Sequence, residues 1–584
     1  MFLKKVIFIS IVISFIPFCT AGCSVTTIGK TETSIILAEK TITGEEQLTV
    51  GSALSEETAE SKDESSLEKK DQLSNDQIKV CERLILENEL KEKQGIFYVP
   101  LPPLEEKANP GIKAKGIYVT ANSAGLEPRF EDFIDMIDST ELNSMVIDVK
   151  NDWGLMTYPS QIPVVQEIMK DHFEPVNDIK ALLSRLEEKN IYPIARIVVF
   201  RDPHLPGFYP EWAILKKDGG VWKDEKGFSW MNPYEKKVWD YNIAIAKEAA
   251  LMGFREIQFD YVRFPEGAES LDAQVNITER KEIPKDEIIK DFLIYASEEL
   301  KDYNVYVSAD VFGVIATYFI DKDDIGQDWQ KISAVTDYIY PMVYPSHYNS
   351  GFFGLDVPDA NPRLTILNAM EDAIKRSSTI KNSAVIRPWL QGFTATWIKG
   401  NIKYGPQQIR EQIDAVLERG IKEFFIWNAS NRYERQAFLT EKEAFSQQER
   451  AEEYRQSMGF DYLGNTASDA FKEYLEYVSK KNWRQAYPYQ ATDFTIDFKK
   501  FGEWGNSWTF DSLESNIVSN IIPEDNSGLK NIFAADIILK KGSDEFLLEK
   551  SIFEVYMENN IWKIKPPAAF IESLTRKYDG GNHN

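Results

Sequence analysis

Cysteine and histidine are the scarce residues of this chain, three and four among 584. Cys19 and Cys23 lie in the N-terminal leader, and only Cys81 follows. That excludes a disulfide framework and a cysteine zinc site. His172, His204, His347 and His583 show no metal-ligand spacing, so a metal-dependent polysaccharide deacetylase is disfavoured and no metal or cofactor is expected. Positive charge is short as well: 67 Lys and Arg against 92 Asp and Glu leave a formal charge of −25. Nucleic acid needs a basic face and is therefore not an expected partner. There is no GxSxG nucleophile turn and no phosphate loop. What remains is a globular composition, 43% hydrophobic, with enough chain for more than one domain.

The first 23 residues read as a targeting segment. Lys4 and Lys5 precede an apolar run at 6–18, followed by Thr20-Ala21-Gly22-Cys23. The ending resembles a bacterial lipobox, with Thr20 in place of the usual Leu. It makes Cys23 the candidate lipidated residue and the extracellular face of the cell membrane the expected location; an ordinary cleaved signal is the alternative. Residues 24–76 are rich in Ser, Thr, Glu and Lys and read as a disordered tether. A short helix over 77–92 and a proline-bearing crossing complete a lead-in to residue 110.

From 111 to 445 strands and helices alternate. Strands are expected at 115–121, 144–150, 192–200, 256–264, 305–313, 337–345, 385–393 and 423–430. Helices are expected at 130–139, 176–189, 235–252, 285–303, 362–376 and 405–419. Eight such strands give an α/β fold, a (β/α)8 barrel. An open doubly wound sheet is the rival, disfavoured because no GxGxxG turn follows the first strand. Residues 457–577 change rhythm. A helix at 467–487 precedes antiparallel strands with a turn at Asn559-Asn560, a small α+β domain similar to nuclear-transport-factor-2-like folds.

Residues two apart on a strand share a face. Asp148 and Lys150, Arg196, Gln258 and Asp260, Ser308 and Asp310, Tyr340 and Tyr344, and Arg387 and Gln391 fall in phase. The opposite parity is apolar at Ile147, Ile197, Phe259, Val307 and Ala309 and suits the helices, so the polar set should line the barrel axis. Glycosidic hydrolysis needs two carboxyl groups. Asp260 and Asp310, at neighbouring strand exits, are the candidates for nucleophile or base and for general acid. Asp148, Lys150, Arg196, Arg201, Tyr340, Tyr344, Trp389, Gln391 and Trp427 are candidates for substrate binding, the rings offering apolar faces to sugar C–H groups. Trp153 falls just past a strand exit and Trp230 in the long loop after the third strand; Arg201, Asp202 and His204 follow that strand in position to line the mouth, and Arg263 is expected as a partner that holds a carboxylate ionised.

The motifs KGIYVTANSAG, ELNSMVIDVKNDWG, RIVVFRDP, WMNPY and GFREIQFDYVRFPEG, in that order, resemble a bacterial glycoside hydrolase barrel family long catalogued as a domain of unknown function. The resemblance spans about 111–432 and implies a barrel and a glycan substrate. FDYVRFP, with Asp260, is its most distinctive stretch; Asp148 and Asp310 match acids at the second and fifth strands. The expectation is a monomeric, surface-anchored glycosidase acting on a cell-wall or extracellular polysaccharide. Its rival is a non-catalytic glycan-binding or envelope scaffold on the same fold.

Overall fold

The computed structural model describes residues 75–103, 108–277, 282–318, 324–491, 498–521 and 529–575, with four short strands before them. Residues 1–100 and 101–584 are two compact units. In the first, a helix spans Asn75–Gln94. The segment expected to be a tether lies largely outside the described residues. Its described parts are two short antiparallel pairs, Cys23–Thr26 with Ile35–Ala38 and Thr41–Thr43 with Gln47–Thr49.

In the second unit, eight parallel strands close on themselves: β1 (Lys115–Val119), β2 (Ser144–Lys150), β3 (Tyr192–Val198), β4 (Glu256–Asp260), β5 (Tyr306–Phe312), β6 (Tyr338–Met342), β7 and β8 (Phe424–Trp427). β7 comes in two pieces, Val385–Ile386 and Trp389–Gln391. Pro388 between them has no N–H to give the ladder. Closure is made where Phe424 on β8 pairs with Lys115 on β1. A Cβ on Gly116 would stand 2.5 Å from the Phe425 ring and 2.7 Å from the Ser144 carbonyl, so only glycine admits that approach.

Helices follow the strands: α1 (Glu127–Asp138), α2 (Ile179–Glu188), α3 (Lys236–Met252), α4 (Lys285–Leu300), α5 (Trp329–Ser333), α6 (Pro362–Ser377), α7 (Pro406–Glu418) and α8 (Glu441–Met458). Local chemistry trims two of the expected ranges. Asp178 caps α2 by accepting from the Ala181 N–H, so the helix starts three residues later than its apolar pattern. Asn304 adopts a left-handed conformation that ends the turn after α4.

The barrel floor is a buried ion cluster. Arg387 donates from Nε to Glu423 Oε2 at 2.6 Å and pairs with Glu256, the first residue of β4. Tyr340 Oη donates to Glu256 Oε1 at 2.7 Å. All four side chains are sealed from solvent. After α8 comes a separate four-stranded antiparallel sheet, β9 (Ser512–Ile521), β10 (Lys530–Lys541), β11 (Asp544–Glu558) and β12 (Ile561–Lys565). Asn559 and Asn560, both at positive φ, make the expected hairpin turn. The helix α9 (Ala467–Ser479) lays Phe471 on Phe533 and Phe553. It is shorter than expected because Lys481, at φ 55, breaks it before a second short helix at Trp483–Ala486.

Candidate active site

Strand four ends at Asp260, four residues before the expected limit. Tyr261 has φ 50, a left-handed conformation that costs a bulky residue energy and leaves the ladder. The Tyr261 N–H donates to Asp260 Oδ1 at 2.6 Å, which fixes the carboxylate at the mouth of the barrel. On the neighbouring strand Phe259 pairs with Ala309, so Asp260 and Asp310 stand side by side at the same height.

One guanidinium organises the acids on the other side. Arg196 on β3 donates from Nε to Asp260 Oδ2 at 2.9 Å and from Nη1 to Asp148 Oδ1 at 2.7 Å. It also reaches Asp152, just beyond β2, at 3.2 Å. Tyr118 Oη donates to Asp148 Oδ2 at 2.7 Å. Asp310 lies outside this net. Its Oδ1 accepts from Trp389 Nε1 at 2.8 Å, and its Oδ2 makes no hydrogen bond to the described residues.

The environments drive these carboxyls apart. Burial, and then the charge of Asp260, push Asp310 well above the usual carboxylate range, against the pull of Arg196. Burial pushes Asp148 up to about 6, with Arg196 opposing. Burial acts the same way on Asp152, but Arg196 and Arg201 outweigh it and hold that carboxyl low. Asp310, raised by burial, thus stands beside Asp260, which is ion-paired to Arg196, and such contrasts between neighbouring acids are what acid–base sites use.

Aromatic rings enclose the acids. Trp427 stacks on Tyr118 at 3.9 Å and meets Trp389 edge-on at 5.5 Å. The Arg196 guanidinium lies 5.2 Å from the Trp427 ring. Tyr344, beyond β6, is buried and feels the charges of Asp310 and Asp260, which add to burial in raising its hydroxyl. Arg201 lies 3.7 Å over the Tyr261 ring and pairs with Asp152. Asp148, Arg196, Arg201, Asp260, Asp310, Tyr344, Trp389 and Trp427 are thus brought together.

Other expected residues are placed elsewhere. Lys150 does not face the axis. The ladder between β2 and β3 shifts register between Asp148 and Lys150, and this bulge turns the lysine outward. There it pairs with Asp202 at 2.8 Å and donates to Asn242 on α3 at 3.0 Å, with both charges fully buried. Asp202 is consequently not at the mouth. Tyr340 faces the axis but belongs to the floor, bound to Glu256. Gln391 is fully buried; its side chain donates to Asp359 and the Phe393 carbonyl and accepts from the Ser346 N–H. Arg263 donates to the Phe264 carbonyl and to Glu266, leaving Arg196 as the partner of the acids. His204 Nε2 faces the Ile168 carbonyl at 3.3 Å. Trp230, in the long loop after β3 as expected, is buried against the Tyr261 ring.

Sequence reasoning missed Tyr118, Asp152 and Tyr261. Tyr118 was within reach, since it shares a face with Gly116 on a strand assigned no inward residue. Asp152 sits past the end of β2, where alternation gives no direction, and Tyr261 falls inside the expected strand 256–264 at the helix-facing parity, which its left-handed backbone overrides. Among the described residues no cluster of His, Cys, Asp and Glu could hold a metal ion, and no helix is long and apolar enough to cross a membrane.

A closed parallel barrel with paired acids at its mouth is a glycosidase-like barrel. The chain belongs to the family described as "Putative glycosyl hydrolase domain", which matches residues 116–433. A hypothetical protein from Ruminiclostridium thermocellum is 39% identical over 33% of this chain and 97% of its own, with a TM-score of 0.31. The PgaB (BpsB) glycoside hydrolase domain of Bordetella bronchiseptica is 12% identical over 60% and 99%, with a TM-score of 0.41. The spore cortex-lytic enzyme SleL of Bacillus megaterium is 13% identical over 58% and 75%, with a TM-score of 0.34. No curated protein matches the chain.

Proposed function

We propose that the protein hydrolyses glycosidic bonds of a polysaccharide, with Asp310 as general acid and Asp260 as nucleophile. The observation that carries this reading is the asymmetry of Asp310: one oxygen is held by Trp389, while the other makes no hydrogen bond to the described residues. Burial and the charge of Asp260 raise the pKa of that carboxyl and so favour its protonated form, the one that gives a proton to a leaving oxygen. Asp260 is oriented by Arg196 and by the Tyr261 N–H, so its charge faces the anomeric carbon as positive charge grows there. Neighbouring parallel strands lie about 4.8 Å apart. Acids starting at that spacing and equal height suit a retaining pair, about 5–5.5 Å apart, better than an inverting pair that must admit a water. Arg196 and Tyr118 fix Asp148, which positions its neighbours.

The near-complete burial of both acids, 5% exposed for Asp260 and 2% for Asp310, favours the second reading, a glycan-binding scaffold without turnover. Product analysis on cell-wall and exopolysaccharide preparations separates the two. Wild type should release oligosaccharides, and Asp310→Asn and Asp260→Asn should not. Equal release by all three sinks the assignment of roles, and binding without release by wild type establishes the scaffold. The leader sequence supports anchoring through a lipid on Cys23, which would hold the barrel at the outer face of the membrane, where such polymers lie.

A further inference from the structure

Thirteen tryptophans occur in the chain. Only two are more than half exposed, Trp153 at 60% and Trp397 at 65%. Isolated exposed rings need no explanation, but these two stand in a fixed relation to the acids. Trp153 follows β2, two strands before Asp260 on β4; Trp397 follows β7, two strands after Asp310 on β5. Each is joined to the carboxylates by an unbroken series of contacts. On one side Asp152 pairs with Arg201, Arg201 lies 5.0 Å from the Phe228 ring, and Phe228 meets Trp153 edge-on at 5.3 Å. On the other, Tyr344 beside Asp310 contacts Phe393 at 5.8 Å, and Phe393 stacks on Trp397 at 6.1 Å, 20° from parallel.

Both rings are braced by a second aromatic while leaving most of their surface to solvent. A core tryptophan would be covered, and a ring that merely filled a loop would not need bracing on both sides of one site. The arrangement suits sugars, whose C–H faces stack on indole while their hydroxyls stay in water. A pocket closed at one end, fitted to a chain terminus, would need one platform. Two platforms flanking the acids need a chain that enters on one side and leaves on the other.

Resting on the glycosidase reading, we infer that the site is endo-acting: it binds a continuous glycan strand across the barrel mouth, with Trp153 and Trp397 as the outer sugar platforms. Each ring then contributes to holding polymer and little to the chemical step on a short substrate.

The test uses the full chain in native gels cast with glycol chitin, hydroxyethyl cellulose or bacterial exopolysaccharide, with viscosity followed on whichever polymer is cleaved. Wild type should be retarded by at least one polymer and should lower its viscosity early in the reaction. Trp153→Ala and Trp397→Ala should each weaken retardation about ten-fold and raise KM on polymer by a like factor, leaving kcat on a short aryl glycoside unchanged. Variants retarded as strongly as wild type, or wild type retarded by none of the polymers, overturn the inference. So does release of only chain-end sugars with viscosity preserved. If the Trp variants match wild type while Asp310→Asn abolishes release, the platforms fall and the glycosidase reading stands. Tryptophan-dependent retardation without any cleavage keeps the platforms and removes the endo-action together with the glycosidase reading.

Discussion

Trp389 Nε1 donates a 2.8 Å hydrogen bond to Asp310 Oδ1 from two strands away across the barrel mouth. The bond favours the ionised acid, while burial and the charge of Asp260 favour the protonated one, and the latter win. In the proposed mechanism Asp310 is the proton donor, and each neighbour pulls on its pKa in a stated direction.

Two substitutions should move the Asp310 pKa in opposite directions. Trp389→Phe removes a bond that lowers it, so activity should persist to higher pH in the kcat/KM profile. Asp260→Asn removes a charge that raises it; this variant lacks the nucleophile, so its Asp310 carboxyl is followed directly by NMR and should titrate at lower pH than in wild type. Shifts of the same sign contradict the account.

Asp310→Asn should stabilise the protein at neutral pH. The folded-state pKa of Asp310 is raised above its unfolded value of about 3.9, so between the two the native state holds a proton that the unfolded chain has released. Stability then falls as pH rises through that window, and asparagine escapes the loss. Urea unfolding should show a higher midpoint for the variant at pH 7, with the advantage vanishing as pH falls to about 4. A variant less stable than wild type at pH 7 would show that Asp310 is a structural group.

Lys150 gives a test of the outward-facing ion pair. Lys150→Met leaves Asp202 as a buried unpaired charge, which should cost about 3–5 kcal/mol of unfolding free energy. Lys150→Met combined with Asp202→Asn should recover most of it. A loss of polysaccharide affinity with the unfolding midpoint unchanged would return Lys150 to the substrate.

Anchoring is tested separately. Cys23→Ala should release the protein from the membrane fraction into the medium, followed by immunoblotting. Retention at the membrane rules out the lipid.

Periodicity made the barrel legible. All eight strands and the six longer helices that follow or precede them occur where apolar alternation and 3.6-residue repeats placed them, because each buries one face against a partner. The same parity brought Asp148, Arg196, Asp260 and Asp310 to one lumen. Alternation failed where the backbone departs from a regular strand. The bulge at β2 sent Lys150 to the opposite face, and the left-handed Tyr261 ended β4 early and turned its own ring to the mouth. Parity also carries no height: Tyr340 and Arg387 face the axis, yet they serve the floor because Glu256, at the opposite end of β4 from Asp260, draws them down. Asp152 lies past the end of β2, and only the fold shows that Arg196 reaches it.

The central claim is that Asp310 delivers the proton to the leaving oxygen. On the polysaccharide that wild type cleaves, Asp310→Asn should lose about a hundred- to ten-thousand-fold in kcat/KM. On a dinitrophenyl glycoside of the same sugar, whose leaving group needs no proton, the loss should be only a few-fold. Equal losses on both substrates, or no loss on the polysaccharide, would contradict the account.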